Sequence, residues 1–253
     1  KGPYLNTEYV AFYMDSEVPE VQSKLIRSAV NHGIDRVKMM TFLRNGIGRP
    51  AQGGMIPLGL PGYRPSEEVS YNPELARAQI QQYTNETGQV PQITITTTSN
   101  YLSFCEYIQR ELSDVGLRIA ISVTPASTLK TAKANGKLDI FRASWVADYP
   151  DAENYLSLFY SKNFAPRGPN YTHFKSDLFD QWYESSQQIN DINSRTQLYQ
   201  RMDSLVMESS AVIPLFYDEV VRFIQRGVEG LGMNPTNILD LRTVRKINKT
   251  TEN

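Results

Sequence analysis

Arg142, Trp145, Asp148 and Asp151 recur at intervals of three within RASWVADYPD, with Tyr149 and Pro150 between the two aspartates. Residues 137–145 alternate apolar and polar side chains as a strand does, and Pro150, which donates no backbone hydrogen bond, stops the strand from continuing. From Ala152 the chain restarts as a helix over 152–160, crowded with Tyr155, Leu156, Leu158 and Phe159. A guanidinium, an indole and two carboxylates are thereby held at a strand exit, where open α/β sheets read their ligands. Two nearby carboxylates can also work as the acid and base of a glycosidase. Each residue has a plainer use as well. Asp148 suits a turn, Asp151 and Glu153 can cap the following helix, Trp145 can anchor a core, and Arg142 can bridge to Asp139 or Asp148.

Little else in the chain offers chemistry. The two histidines, His32 and His173, each stand alone in their segments, and no H-E-x-x-H or C-x-x-C spacing supplies a metal site. Both are expected to be capping or surface imidazoles. Cys105 falls on the apolar face of a helix with Leu102, Ile108 and Leu112, where a thiol is inert. No G-x-S-x-G elbow or phosphate loop is present. The expectation is a non-enzyme with neither cofactor nor metal.

The elements that must position the strand exit follow from pattern. Strands are expected over 5–14, 92–98, 118–124, 137–145, 212–218 and 220–225. Helices are expected from Pro19 to Gly33 and over 34–43, 73–85, 101–114, 127–134, 176–189 and 194–210. The glycine- and proline-rich stretch 46–65 is too poor in periodic apolar residues to be a packed element, and long ordered loops of that kind usually cover something or act. Strands alternating with helices imply an α/β fold with a parallel or mixed sheet and helices on both faces. Residues 248–253, polar and terminal, are expected to fray.

Composition narrows the classes. With 26 basic and 27 acidic residues among 253, no charge excess points to nucleic acid or an anionic membrane. A single cysteine forbids an internal disulfide and fits either a reducing or an exported setting. No apolar run approaches the roughly 20 residues of a membrane span.

Five separated pieces, in order, carry a family resemblance: 20–36 (EVQSKLIRSAVNHGIDR), 48–51 (GRPA) with 57–59 (PLG), 71–77 (YNPELAR), 142–149 (RASWVADY), and Arg195, Leu198 and Tyr199 with 213–215 (IPL). They resemble the extracytoplasmic solute-binding proteins of peptide-type ABC transporters, the oligopeptide/dipeptide-binding family (solute-binding protein family 5). The resemblance spans about residues 8 to 230 and implies a periplasmic-binding-protein-like (type II) C-terminal lobe with a mixed sheet flanked by helices. Family members are about twice this length and close two lobes on the ligand. The chain is therefore expected to be a fragment: 1–14 crosses from a missing N-terminal lobe, 15–219 is the ligand-binding lobe, and 220–253 returns toward the other lobe.

The resemblance also assigns roles. Asp148 is expected to take the ammonium of a short peptide, Arg142 to face a carboxylate of the ligand or of the protein, and Trp145 and Tyr149 to wall the pocket. The implied activity is delivery of peptides to ABC permease subunits in the membrane, by a monomer, in the periplasm or another extracytoplasmic space. A lipid anchor on the full-length protein is left open. Relatives of the peptide receptors also take oligosaccharides, nickel complexes and opines, and Trp145, Tyr149, Tyr155 and Trp182 keep a sugar open. A partner-recruiting module with a vestigial pocket is the reading from another class.

Overall fold

The computed structural model describes residues 1–247, so the expected fraying of 248–253 lies outside the described residues. Six strands form one mixed sheet in the order β2-β6-β1-β5-β3-β4: β1 (Gly2–Phe12), β2 (Arg49–Pro50), β3 (Gln92–Thr97), β4 (Arg118–Val123), β5 (Ile140–Val146) and β6 (Val212–Val220). β3 runs parallel to β4 and β5, while β1 is antiparallel to both β5 and β6. A short pair, β7 (Val228–Glu229) and β8 (Arg245–Lys246), stands apart.

β1 is central because both of its faces are apolar. Tyr9 and Ala11 join a core beneath helices α7 (Glu153–Leu156), α8 (Asp177–Ser186) and α9 (Ile192–Ser209). Val10 and Phe12 join a second core on the opposite face with α2 (Lys24–Gly33), α3 (Arg36–Arg44), α4 (Pro73–Thr87) and α5 (Leu102–Asp114). Period-two alternation alone sends neighbouring residues into different cores. α6 (Ala126–Ala134) lies between β4 and β5 in the chain, as the parallel connection requires.

Four expectations need correction. The helix expected over 152–160 is α-helical only in α7, Glu153–Leu156, and tightens into a 3-10 turn over Ser157–Phe159. The helix expected from Pro19 to Gly33 divides into α1 (Pro19–Gln22) and α2, because Ser23 is extended. The buried Arg27 guanidinium donates to the freed carbonyls of Val21 and Gln22 at 2.7 and 2.8 Å, so the break leaves them satisfied. The strand expected over 220–225 is absent: β6 ends at Val220, whose partner Gly2 is the first residue of β1, so the ladder has no further edge to pair. The 46–65 stretch, expected to lie outside the packed elements, sends Ala51, Met55, Ile56 and Leu60 into the core. Three side chains pin its backbone: Thr7 Oγ1 donates to the Met55 carbonyl (2.9 Å), Tyr217 Oη donates to the Gly54 carbonyl (2.8 Å), and Asp203 accepts from Met55 N–H (2.8 Å).

Candidate ligand-binding end of the sheet

Topology gathers the site before any side chain is considered. β3 and β5 are parallel, so their C-terminal ends lie together, and antiparallel pairing brings the start of β1 and the end of β6 to that same end of the sheet. Asn6 thus sits opposite Val146, and Glu8 opposite Ser144 and Phe216.

The turn after β5 is built around Asn154. Its buried Oδ1 accepts from the Trp145 indole N–H at 2.8 Å and from the Asp148 amide at 3.2 Å, tying the strand end to the helix that follows. Asp151 does not occupy the cap expected of it, since Ala152 is the N-cap of that helix; from one residue earlier its carboxylate accepts from Glu153 N–H at 2.9 Å, and Arg195 lies 3.5 Å away. Glu153 does something else: its carboxylate accepts from the hydroxyls of Tyr149 and Tyr183. Trp145 packs half-buried against the core under α7–α9. Asp148 and Tyr149 are exposed, Tyr149 at 45 %. Among the described residues, no cation lies within ion-pairing distance of Asp148.

Arg142 is separated from these residues. Three positions before Trp145 on a strand, it emerges on the other face of the sheet. There it pairs with Glu8, neither Asp139 nor Asp148 being its partner. The ring of Tyr101, at the entrance to α5, covers the guanidinium. The Arg142 side chain is 11 % exposed and that of Glu8 3 %. Burial pulls the guanidinium down to about 9, which leaves it protonated at neutral pH, with the Asp218 carboxylate acting in the opposite direction. Asp218 itself pairs with Arg44, and Asn6 Nδ2 donates to Glu8 at 2.9 Å. Beside this cluster, Glu219 is shared by Lys1 (2.6 Å) and Arg49 (3.4 Å), lining a hollow of about 280 Å³ with Tyr4, Leu58 and Tyr217.

The remaining groups with chemical potential are committed to structure. His32 is buried, with Nδ1 2.9 Å from the Ser70 carbonyl. His173 stacks on Phe164 and bridges Asp15 and the Ala165 carbonyl. Cys105 is buried, and burial pushes its thiol up. Of the aromatic side chains that kept a sugar open, Tyr155 is fully buried.

Sequence reasoning missed Glu8, Asn154 and Tyr101. A lone carboxylate inside the otherwise uncharged run LNTEYVAF was a readable signal for Glu8, because an isolated charge in a central strand needs a counter-charge. Nothing in the sequence distinguished Asn154 from a surface amide.

A mixed sheet flanked by helices is the fold this chain shares with type II periplasmic peptide-binding proteins. The Escherichia coli murein tripeptide binding protein MppA superposes with a TM-score of 0.83 at 21 % identity, over 98 % of this chain and 49 % of that one. A dipeptide binding protein from Pseudoalteromonas sp. SM9913, solved with Met-Leu, gives 0.79 at 24 % identity, over 97 % and 49 %. The sequence comparison places the chain more narrowly: residues 1–166 match the model for bacterial extracellular solute-binding proteins, family 5 Middle, and the chain belongs to that family. A probable di/tripeptide-binding protein 5 of Pseudomonas aeruginosa is 22 % identical over 249 residues, covering 96 % of this chain and 46 % of the relative. The periplasmic oligopeptide-binding protein OppA of Escherichia coli is 23 % identical over 239 residues, covering 90 % and 42 %. The chain spans about half the length of the curated relatives it matches.

Proposed function

We propose that this chain is the C-terminal lobe, with residues 1–14 and 220–253 as its two crossings, of a substrate-binding component of an ABC importer. The whole protein takes short peptides between two lobes, outside the cytoplasm, and delivers them to membrane permease subunits without chemical turnover. The observation that carries this reading is Asp148. It is an exposed carboxylate at the C-terminal end of a parallel strand, its backbone fixed by Asn154 and its charge unmatched by any described cation.

An ammonium entering a closed cleft must exchange water for a charged acceptor, and a carboxylate fixed in place supplies one. Trp145 and Tyr149 flank it with aromatic surface. Arg142 stands on the same strand as the candidate partner for a carboxylate, which in this chain is first of all that of Glu8. Closure onto the second lobe would exclude water and strengthen each of these contacts.

Native mass spectrometry of the full-length protein as purified, followed by denaturation and sequencing of released material, tests the class. Co-purified short peptides are expected. A single sugar or metal chelate, or a protein unaffected by added peptide, overturns the reading. Asp148→Ala is expected to weaken peptide binding by about 2–5 kcal/mol, measured by calorimetry, as is usual for loss of one partner of a buried charged contact.

A further inference from the structure

The end of the sheet away from Asp148 carries its own group of titratable side chains. There β1 leaves the sheet at Phe12, opposite Ile140 at the start of β5. The turn that follows, Tyr13 to Ser16, meets the segment joining α7 to α8 through a backbone bond, Met14 N–H to the Thr172 carbonyl at 2.7 Å, and through the ring of His173. His173 has a φ of 53°, in the left-handed region that histidine enters more readily than most residues. Its ring lies flat on Phe164, with centroids 4.4 Å apart, and meets the Tyr13 ring at 4.9 Å.

Three oxygens surround the two ring nitrogens. Nε2 is 3.0 Å from the Ala165 carbonyl and Nδ1 is 2.8 Å from Asp15 Oδ2, and a carbonyl and a carboxylate can only accept. Satisfying both takes a proton on each nitrogen, which is the imidazolium. The third oxygen, Tyr13 Oη, lies 3.4 Å from Nδ1 and can donate. Burial first, and Asp15 second, push that phenol up, so it keeps its proton at neutral pH. A neutral ring that keeps its Nε2 proton on Ala165 presents a bare Nδ1, which repels the Asp15 carboxylate and accepts from Tyr13 instead. Asp15 has no other ion-pair partner among the described residues, and its side chain is 59 % exposed, so water can receive it. The other charges nearby are Asp139, which accepts from Ser16, and Lys133 of α6, 4.2 Å over the Tyr171 ring, while Arg167 and Lys175 on the segment itself are exposed.

We propose that His173 is a pH-sensitive latch between the exit of β1 and the segment joining α7 to α8. Protonated, it bridges Asp15 and Ala165 and draws the turn onto the segment; neutral, it exchanges Asp15 for Tyr13 and the turn loosens. Imidazole is the side chain suited to this, since it changes charge between about pH 5 and 8. The latch stands apart from the peptide site, and its test uses no peptide.

Ring-nitrogen NMR of the full-length protein carrying 15N-labelled histidine reads the exchange directly. Both nitrogens are expected to carry protons at about pH 5, and at about pH 9 a single tautomer is expected, with its proton on Nε2. The Ser16 amide closes the turn on the Tyr13 carbonyl at 3.1 Å. Its hydrogen exchange is expected to quicken about threefold or more over that range, once the intrinsic pH dependence of exchange is divided out. Asp15→Asn, at an exposed side chain, keeps the fold and is expected to abolish that quickening, because its amide can donate to a bare Nδ1. A proton on Nδ1 at about pH 9, alone or in a mixture of tautomers, overturns the proposal, and that observation needs no variant. Wild-type Ser16 exchange that stays level, or an Asp15→Asn protein whose exchange changes with pH as the wild type's does, overturns it also.

Discussion

A side-chain amide governs whether the candidate site has a shape at all. Asn154 Oδ1 receives two donors, the Trp145 indole and the Asp148 backbone, so one atom sets both the ring and the turn that carries the carboxylate. Asn154→Ala should leave two part-buried donors unmet, at about 1–3 kcal/mol each if water cannot reach them. The expected outcome is lower stability in urea, a red-shifted tryptophan emission as Trp145 loosens, and weaker peptide binding with Asp148 itself intact. The residues proposed to touch ligand could be named from the sequence because they stand close together at a strand exit. Asn154 could not, since an asparagine is ordinary in any helix start and its value here comes from a fold that returns it over the strand end. Arg142 shows the opposite limit: its charge was plain in the sequence, but its partner Glu8 lies over 130 residues away and became a neighbour only through β1–β5 pairing.

Among the elements, the segment around Gly54 to Ile56 was the least legible. Apolar periodicity signals helices and strands, and this segment has neither; it is ordered by three hydrogen bonds from β1, β6 and α9. Gly54 packs directly on the Asp203 carboxylate, leaving no room for a Cβ. Burial pushes the Asp203 carboxyl from 3.8 up to about 7, against the opposing pull of the Met55 and Ile56 amides and of Arg64. A folded-state value above the unfolded one means that the proton favours the native state. The contribution is whole below about pH 4 and is lost as pH rises through about 7, costing roughly 4 kcal/mol above that range. Wild-type stability measured by urea unfolding should therefore fall between pH 4 and 8 relative to Asp203→Asn, which keeps an acceptor for Met55 and has no proton to lose. Matching pH profiles for the two proteins would count against a raised Asp203 carboxyl. By contrast, every element of the parallel unit from α4 to β5 was legible, with bounds within three residues, because each of its helices and strands has its own apolar period and its own stop signal.

For the molecule as a whole, the mixed sheet was legible as a class, but the place of β1 was not. Its buried character on both faces is visible in YVAF, whereas its position between β5 and β6 depends on pairings with strands about 130 and 200 residues away. Such non-local ladders are what sequence patterns report least. The peptide-binding reading makes a quantitative demand here. A lobe without a second wall cannot exclude water, so the 253-residue chain alone is expected to bind trialanine no better than about millimolar, near 4 kcal/mol. Calorimetry on both forms should show the full-length protein tighter by at least about a hundredfold, or 2.7 kcal/mol.

The pairing of Gly2 with Val220 places the start of β1 beside the end of β6 at one end of the sheet. Mechanically, that makes the lobe a zipper. A tension applied through residues 2 and 220 loads the hydrogen bonds of the β1–β6 ladder one after another, whereas tension through residues 12 and 220 must shear the whole ladder at once. Optical-tweezers pulling through cysteine handles at those pairs should find the first geometry yielding at distinctly lower force, with β1 peeling away and exposing both cores together.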